Sequence, residues 1–141
     1  MSNWTHVAAI ARIDDIRVFG RPSPDFEEIF GKPLDYDDPL SRWEEAREHP
    51  ERFLPMGSEG SLNMSVWVNP DRSCADAYTV SIFGDLRDHD NPQEIVDWFV
   101  EKVSDDDLMV RNACIVAENE LYGSVFWSDT GLGDNPCAEQ N

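Results

Sequence analysis

The chain has 141 residues, 40% of them hydrophobic and 11% aromatic, which is too apolar for a disordered chain and enough for one buried core. Twenty-nine acidic against eleven basic residues give a formal charge of −18 and an isoelectric point near 4.2. Such a surface repels phosphate backbones and anionic membranes, which counts against direct nucleic-acid or membrane binding and leaves basic protein surfaces and metal cations as the partners its field attracts.

The stretch WTHVAAIARI alternates Val7, Ala9, Ala11 and Ile13 with His6, Ala8, Ile10 and Arg12, the pattern of a first strand whose small side chains suit close packing under a helix. The N-terminus lacks a basic n-region and its apolar run is broken at Arg12, so neither a signal peptide nor a membrane span is expected. From Asp14 to Gly60 Pro and Asp become frequent, and two short charged helices are predicted. PDFEEIFG opens at Ser23 and Pro24 and ends at Gly31; SRWEEAREH opens with Ser41 and Glu44 in capping-box spacing and stops before Pro50.

Leu62, Met64, Val66 and Val68 alternate with Asn63, Ser65, Trp67 and Asn69, a half-buried strand. PDRS supplies a turn, and ADAYTVSIFG follows as a hairpin partner in which Tyr78, Val80 and Ile82 alternate. A helix begins near Pro92, and LMVRNACIVAENE and LYGSVFWSD read as two more strands joined by a tight turn around Glu118 and Asn119. The order predicts an α+β fold, a ferredoxin-like antiparallel sheet of four to five strands with helices on one face, the last strand added at an edge. The domain is expected over 1–127, with a polar flexible tail over 128–141.

Cys74, Cys114 and Cys137 show no C-x-x-C spacing and are odd in number, which favours a reducing, cytoplasmic setting over a disulfide framework. Cys114 reads as a small buried hydrophobe and His6 as a hydrogen-bonded structural histidine. No nucleophile elbow, phosphate loop or dinucleotide fingerprint is present, so neither catalytic residues nor a cofactor are assigned.

In FGDLRDHDNPQEIVDWF, Asp85, Asp88, His89 and Asp90 fall within six residues. Asn91, Pro92 and Glu94 form a helix start, and Asp88 and Asp90 precede its positive end, so capping accounts for most of these acids. A metal site would need a further ligand such as His6 or His49, and D-x-x-D-H-D matches no ligand-specifying loop, so no metal is assigned.

The acids are unevenly placed. Asp14 to Gly60 carries thirteen acids against six bases, and Asp85 to Asp107 nine against two, a net −7 in each block. On the helix from Pro92 to Val103, Ile95, Val96, Trp98, Phe99 and Val103 form an apolar stripe, and the opposite ridge holds Gln93, Glu94, Asp97 and Glu101. Three carboxylates at i, i+3 and i+7 repel each other, and Asp105, Asp106 and Asp107 then crowd the negative end of the helix dipole. Stability alone would have placed cations there. Carboxylates about 6 Å apart on a helix approximate the phosphate spacing of one nucleic-acid strand, so nucleic-acid mimicry is a hypothesis.

The stretches SNWTHVAAIARID, LPMGSEGSL and FGDLRD are similar in texture to small acidic proteins encoded by bacteriophages and prophages, a group without assigned chemistry. The resemblance carries no catalytic residues across. It implies a context in which small acidic proteins block host proteins, including nucleases with basic grooves.

The expected function is therefore a non-enzymatic binding protein docking on a basic surface, its partner-binding residues being Glu94, Asp97, Glu101, Asp105, Asp106, Asp107, Asp85, Asp88 and Asp90, with Trp43 and Trp67 as apolar anchors if exposed. The alternatives are a small metal-dependent hydrolase using Asp85, Asp88, His89 and His6, and a structural protein that oligomerises through an edge strand.

Overall fold

A computed structural model describes residues 2–16, 24–69, 75–105 and 108–129. Its element order is β1 (Trp4–Ile16), α1 (Phe26–Phe30), α2 (Leu40–Glu48), a 3-10 turn at Pro50–Arg52, β2 (Asn63–Asn69), β3 (Ala75–Arg87), α3 (Pro92–Val103), β4 (Met109–Asn119) and β5 (Gly123–Asp129). The five strands form one sheet in the order β2-β3-β1-β4-β5, and every neighbouring pair is antiparallel. This is an α+β architecture.

Strand alternation decides what the sheet buries. Val7, Ala9, Ala11 and Ile13 of β1 are buried, and the register sets them beside Gly84, Ile82, Val80 and Tyr78 of β3. On the other side Val7, Ala9 and Ala11 face Ala117, Ile115 and Ala113 of β4. These residues share one core with Phe26 and Phe30 of α1 and with Ile95, Val96, Phe99 and Val103 of α3. Four alanines lie in that layer, and their short side chains leave room for large rings. Phe26 meets Tyr78 edge-on at 5.1 Å, and Phe99 meets Trp127 edge-on at 6.2 Å.

A second, smaller core holds Leu34, Ala46 and Phe53, with Trp43 and Met56 packed against it. Backbone bonds from Lys32 N–H to the Arg52 carbonyl and from Leu54 N–H to the Lys32 carbonyl tie this region together. The Arg42 guanidinium covers the Phe53 ring at 5.3 Å.

On the opposite strand parity several large apolar side chains are exposed. Phe83, Ala8, Val116 and Phe126 stand side by side across β3, β1, β4 and β5, and Phe83, Val116, Phe126, Ile10 and Trp67 are all exposed.

Several sequence expectations shift. The N-cap of α1 is Asp25, whose side chain accepts from the Glu27 and Glu28 amides; Ser23 lies outside the described residues. Helix α2 starts one residue before Ser41, after Pro39, and no side chain caps it. The β4–β5 turn spans Glu120 to Tyr122, because Glu118 and Asn119 still pair in the ladder with Ser124 and Gly123. β5 starts at Gly123, two residues after the expected strand LYGSVFWSD, and ends with it at Asp129. Cys114 is only half-buried, since it lies on the exposed parity opposite Ile10. The PDRS turn, Cys74, Cys137 and 130–141 lie outside the described residues. Among the described residues no helix is long and apolar enough to cross a membrane.

Candidate partner-docking surface

Helix α3 begins as its local sequence dictates. Asn91 Oδ1 accepts from the Gln93 amide at 3.1 Å, and Pro92 occupies the first turn, where its missing N–H costs nothing. Among the described residues the carboxylate of Glu94 caps no amide; it lies 3.8 Å from His89 Nε2. One face of the helix fills the core with Ile95, Val96, Phe99 and Val103, and Trp98 is partly buried beside them.

That anchoring fixes the outer face. Glu94, Asp97 and Glu101 are all exposed on it, and among the described residues no lysine or arginine lies within ion-pairing distance of the three. Gln93 Nε2 donates to Asp97 Oδ1 at 2.8 Å, which orients that carboxylate without neutralising it. Asp105 is exposed just past the helix end; Asp106 and Asp107 lie outside the described residues.

The three loop acids are used differently. Asp85 Oδ1 stands 2.6 Å from His6 Nδ1 across β1 and β3. Asp88 takes a left-handed backbone, φ 57°, reversing the chain as β3 ends. Its carboxylate accepts from Ser58 Oγ at 2.9 Å and from the Asn3 amide at 3.4 Å. Asp90 accepts from Asn3 Nδ2 at 2.9 Å. Asp88 and Asp90 fasten the N-terminus and the segment before β2 to the β3–α3 loop, and Asp85 ties β3 to β1.

The titration of the loop follows from those bonds. The hydrogen bond to Asp85 raises the His6 pKa, against a smaller desolvation effect, and the charges of Asp85, Glu120 and Glu118 add to the rise. The Ser58 and Asn3 hydrogen bonds lower the Asp88 pKa, with Arg87 assisting.

The residues of the metal alternative each face a partner of their own. Asp85 is turned to His6, Asp88 to Ser58, and His89 to Glu94, while His49 lies beside Glu51 at 3.5 Å. Among the described residues no three His, Cys, Asp or Glu side chains are placed to hold a metal ion. Of the two tryptophans considered as anchors, Trp67 is 57% exposed, whereas Trp43 packs against the smaller core and donates its indole N–H to the Asp35 carbonyl.

Sequence reasoning missed Asn3 and Ser58, the partners that hold Asp88 and Asp90. They lie 85 and 30 residues from Asp88, and no local pattern announces such a contact. No family model matches the chain, and no curated protein or solved structure matches it either.

Proposed function

We propose that this chain is a non-enzymatic binding protein that docks on a basic surface of another protein through the outer face of α3. One observation carries the reading: Glu94, Asp97 and Glu101 are exposed together on a helix whose other face is locked into the core, with no lysine or arginine paired to them among the described residues. A helix fixed in this way presents its charges at nearly constant spacing, about 5–6 Å between successive carboxylate positions, so little ordering entropy opposes binding. The basic surface is best matched by a nucleic-acid groove, for which the ridge acts as a mimic, and a phage-encoded inhibitor acting in the cytoplasm is the context we propose for it.

The finer fold assignment belongs to the same reading. Strands β1 and β3 lie at the centre, flanked by β4 and β2, and the segments holding α1 and α3 each connect strands separated by one neighbour. That arrangement supports a ferredoxin-like split βαβ pair with β5 added at the β4 edge.

The test is capture from a bacterial lysate on the immobilised full chain, beside the charge-reversed D97K/E101K chain. A captured protein that is held at low salt, displaced by duplex DNA and lost in the variant supports docking by mimicry. Equal capture by both chains rules out the ridge.

A second reading, self-association, is favoured by the exposed row Phe83, Val116 and Phe126. His6, Asp85 and Glu118 stand at one end of that parity, and Arg12 lies toward the other, with Arg111 beside Asp14. Two copies related by an axis across the strands would set acid against base. Light scattering over a concentration series distinguishes it from a monomer.

A further inference from the structure

Away from α3, where β1 begins, Trp4, Asp35, Tyr36, Trp43, Gly60 and Asp85 line an open cavity of about 300 Å³. The rings of Tyr36 and Trp43 stand 6.5 Å apart and are tilted by 38°, so they form a corner and not a closed stack. Trp43 is pinned there because its indole N–H donates to the Asp35 carbonyl at 3.2 Å. The turn carrying Asp35 is pinned in its own right, since its amide donates to Asp38 Oδ2 at 2.9 Å.

The floor is backbone. Gly60 has φ +84°, and a Cβ on it would lie 2.2 Å from the Asp85 carbonyl oxygen, so only glycine lets the loop approach this closely. Tyr36, by contrast, is 70% exposed, an aromatic ring standing at the mouth of the cavity in water.

The chemistry of the lining selects its occupant. Aromatic faces carry negative charge density and attract cations, and the acidic residues Asp35 and Asp85 line the same cavity, the first accepting from the Asp37 amide and the second paired with His6. Asp85 gives Oδ1 to His6, and its second oxygen takes no part in that bond. We infer that this corner is a cage for the guanidinium of an arginine side chain on a basic protein partner. A guanidinium is planar, weakly hydrated and able to stack on an indole while its forked N–H groups reach carboxylates; an ammonium is more strongly hydrated and lacks the plane. The inference rests on the docking reading for the source of the arginine. It uses different residues from the α3 ridge, so the two fail separately.

The experiment is an NMR titration of the full chain with N-acetyl-arginine amide, following the indole N–H signals of Trp4 and Trp43. Both signals are expected to shift saturably. The neutral, nearly isosteric citrulline amide should leave them in place, and the lysine amide should bind more weakly. Tyr36→Ser, at an exposed position that leaves the fold intact, should weaken arginine binding about two- to fivefold, the range of a single exposed cation–π contact. D97K/E101K should bind the arginine amide as the unmodified chain does, even if it no longer captures a protein. Shifts that never saturate, an equal response to citrulline, or unchanged affinity in Tyr36→Ser would each overturn the cage.

Discussion

His6 Nδ1 and Asp85 Oδ1 stand 2.6 Å apart because the antiparallel register pairs the two residues directly across β1 and β3. The pair gives the fold a pH dependence whose sign can be worked out. The folded His6 pKa is raised above its ordinary 6.5, chiefly by the bond to Asp85. Its stabilising contribution is therefore complete below about 6.5 and is lost as the pH rises through the folded value. Both side chains are largely solvated, so the effect is small. Thermal melts between pH 5.5 and 8.5, conditions chosen to bracket that titration, should show a slope that flattens in His6→Gln; an identical slope would remove the pair from the account.

Asp88 has the opposite sign. Its lowered pKa makes its contribution present above the ordinary 3.8 and lost as the pH falls through the folded value. Ser58→Ala removes the largest cause, so the Asp88 carboxyl should titrate closer to 3.8 when followed by carbon-detected NMR. No movement would mean that the Asn3 amide and Arg87 hold it alone.

Among the described residues Asn119 is the most connected buried polar side chain. It is 2% exposed, donates to Thr5 Oγ1 and to the His89 carbonyl, and accepts from the Leu121 and Tyr122 amides. Asn119→Ala takes the acceptor from the Leu121 and Tyr122 amides of the β4–β5 turn, while Thr5 Oγ1 still donates to the His89 carbonyl, and should cost about 1–3 kcal/mol. Denaturant unfolding measures it, and a loss under about 1 kcal/mol would show that water replaces the side chain.

Phe99 is 1% exposed and joins α3 to the sheet through its edge contact with Trp127. Phe99→Ala should cost about 3–5 kcal/mol, the usual toll of emptying a buried aromatic site. A much smaller loss in urea unfolding would place α3 outside the cooperative core and weaken the idea of a rigid ridge.

What could be read from the sequence was whatever local spacing controls. The alternation of Val7, Ala9, Ala11 and Ile13 marked the buried face of β1, and the 3.6-residue period of Ile95, Val96, Phe99 and Val103 marked both the packed face of α3 and, by difference, its acidic ridge. Asn91 as a cap was equally local. Cap choice failed in α1, where Asp25 takes the role given to Ser23, and in α2, where Pro39 precedes a helix with no side-chain cap. The β4–β5 turn was placed too early because Asn119 looks like a turn residue, yet its side chain is held inside by Thr5, 114 positions away. The same long-range logic divided the Asp85, Asp88 and Asp90 group. Adjacent in sequence, they are assigned by strand parity and a left-handed Asp88 to His6, Ser58 and Asn3.

The central claim is that the carboxylates on the outer face of α3 dock a basic protein. Side-by-side lysate capture on the unmodified chain and on D97K/E101K, with folding of both verified by far-ultraviolet circular dichroism, addresses it most directly. The account predicts a basic protein retained by the first, released by salt or duplex DNA, and missing from the second. Retention of the same protein by both chains at the same salt would contradict it.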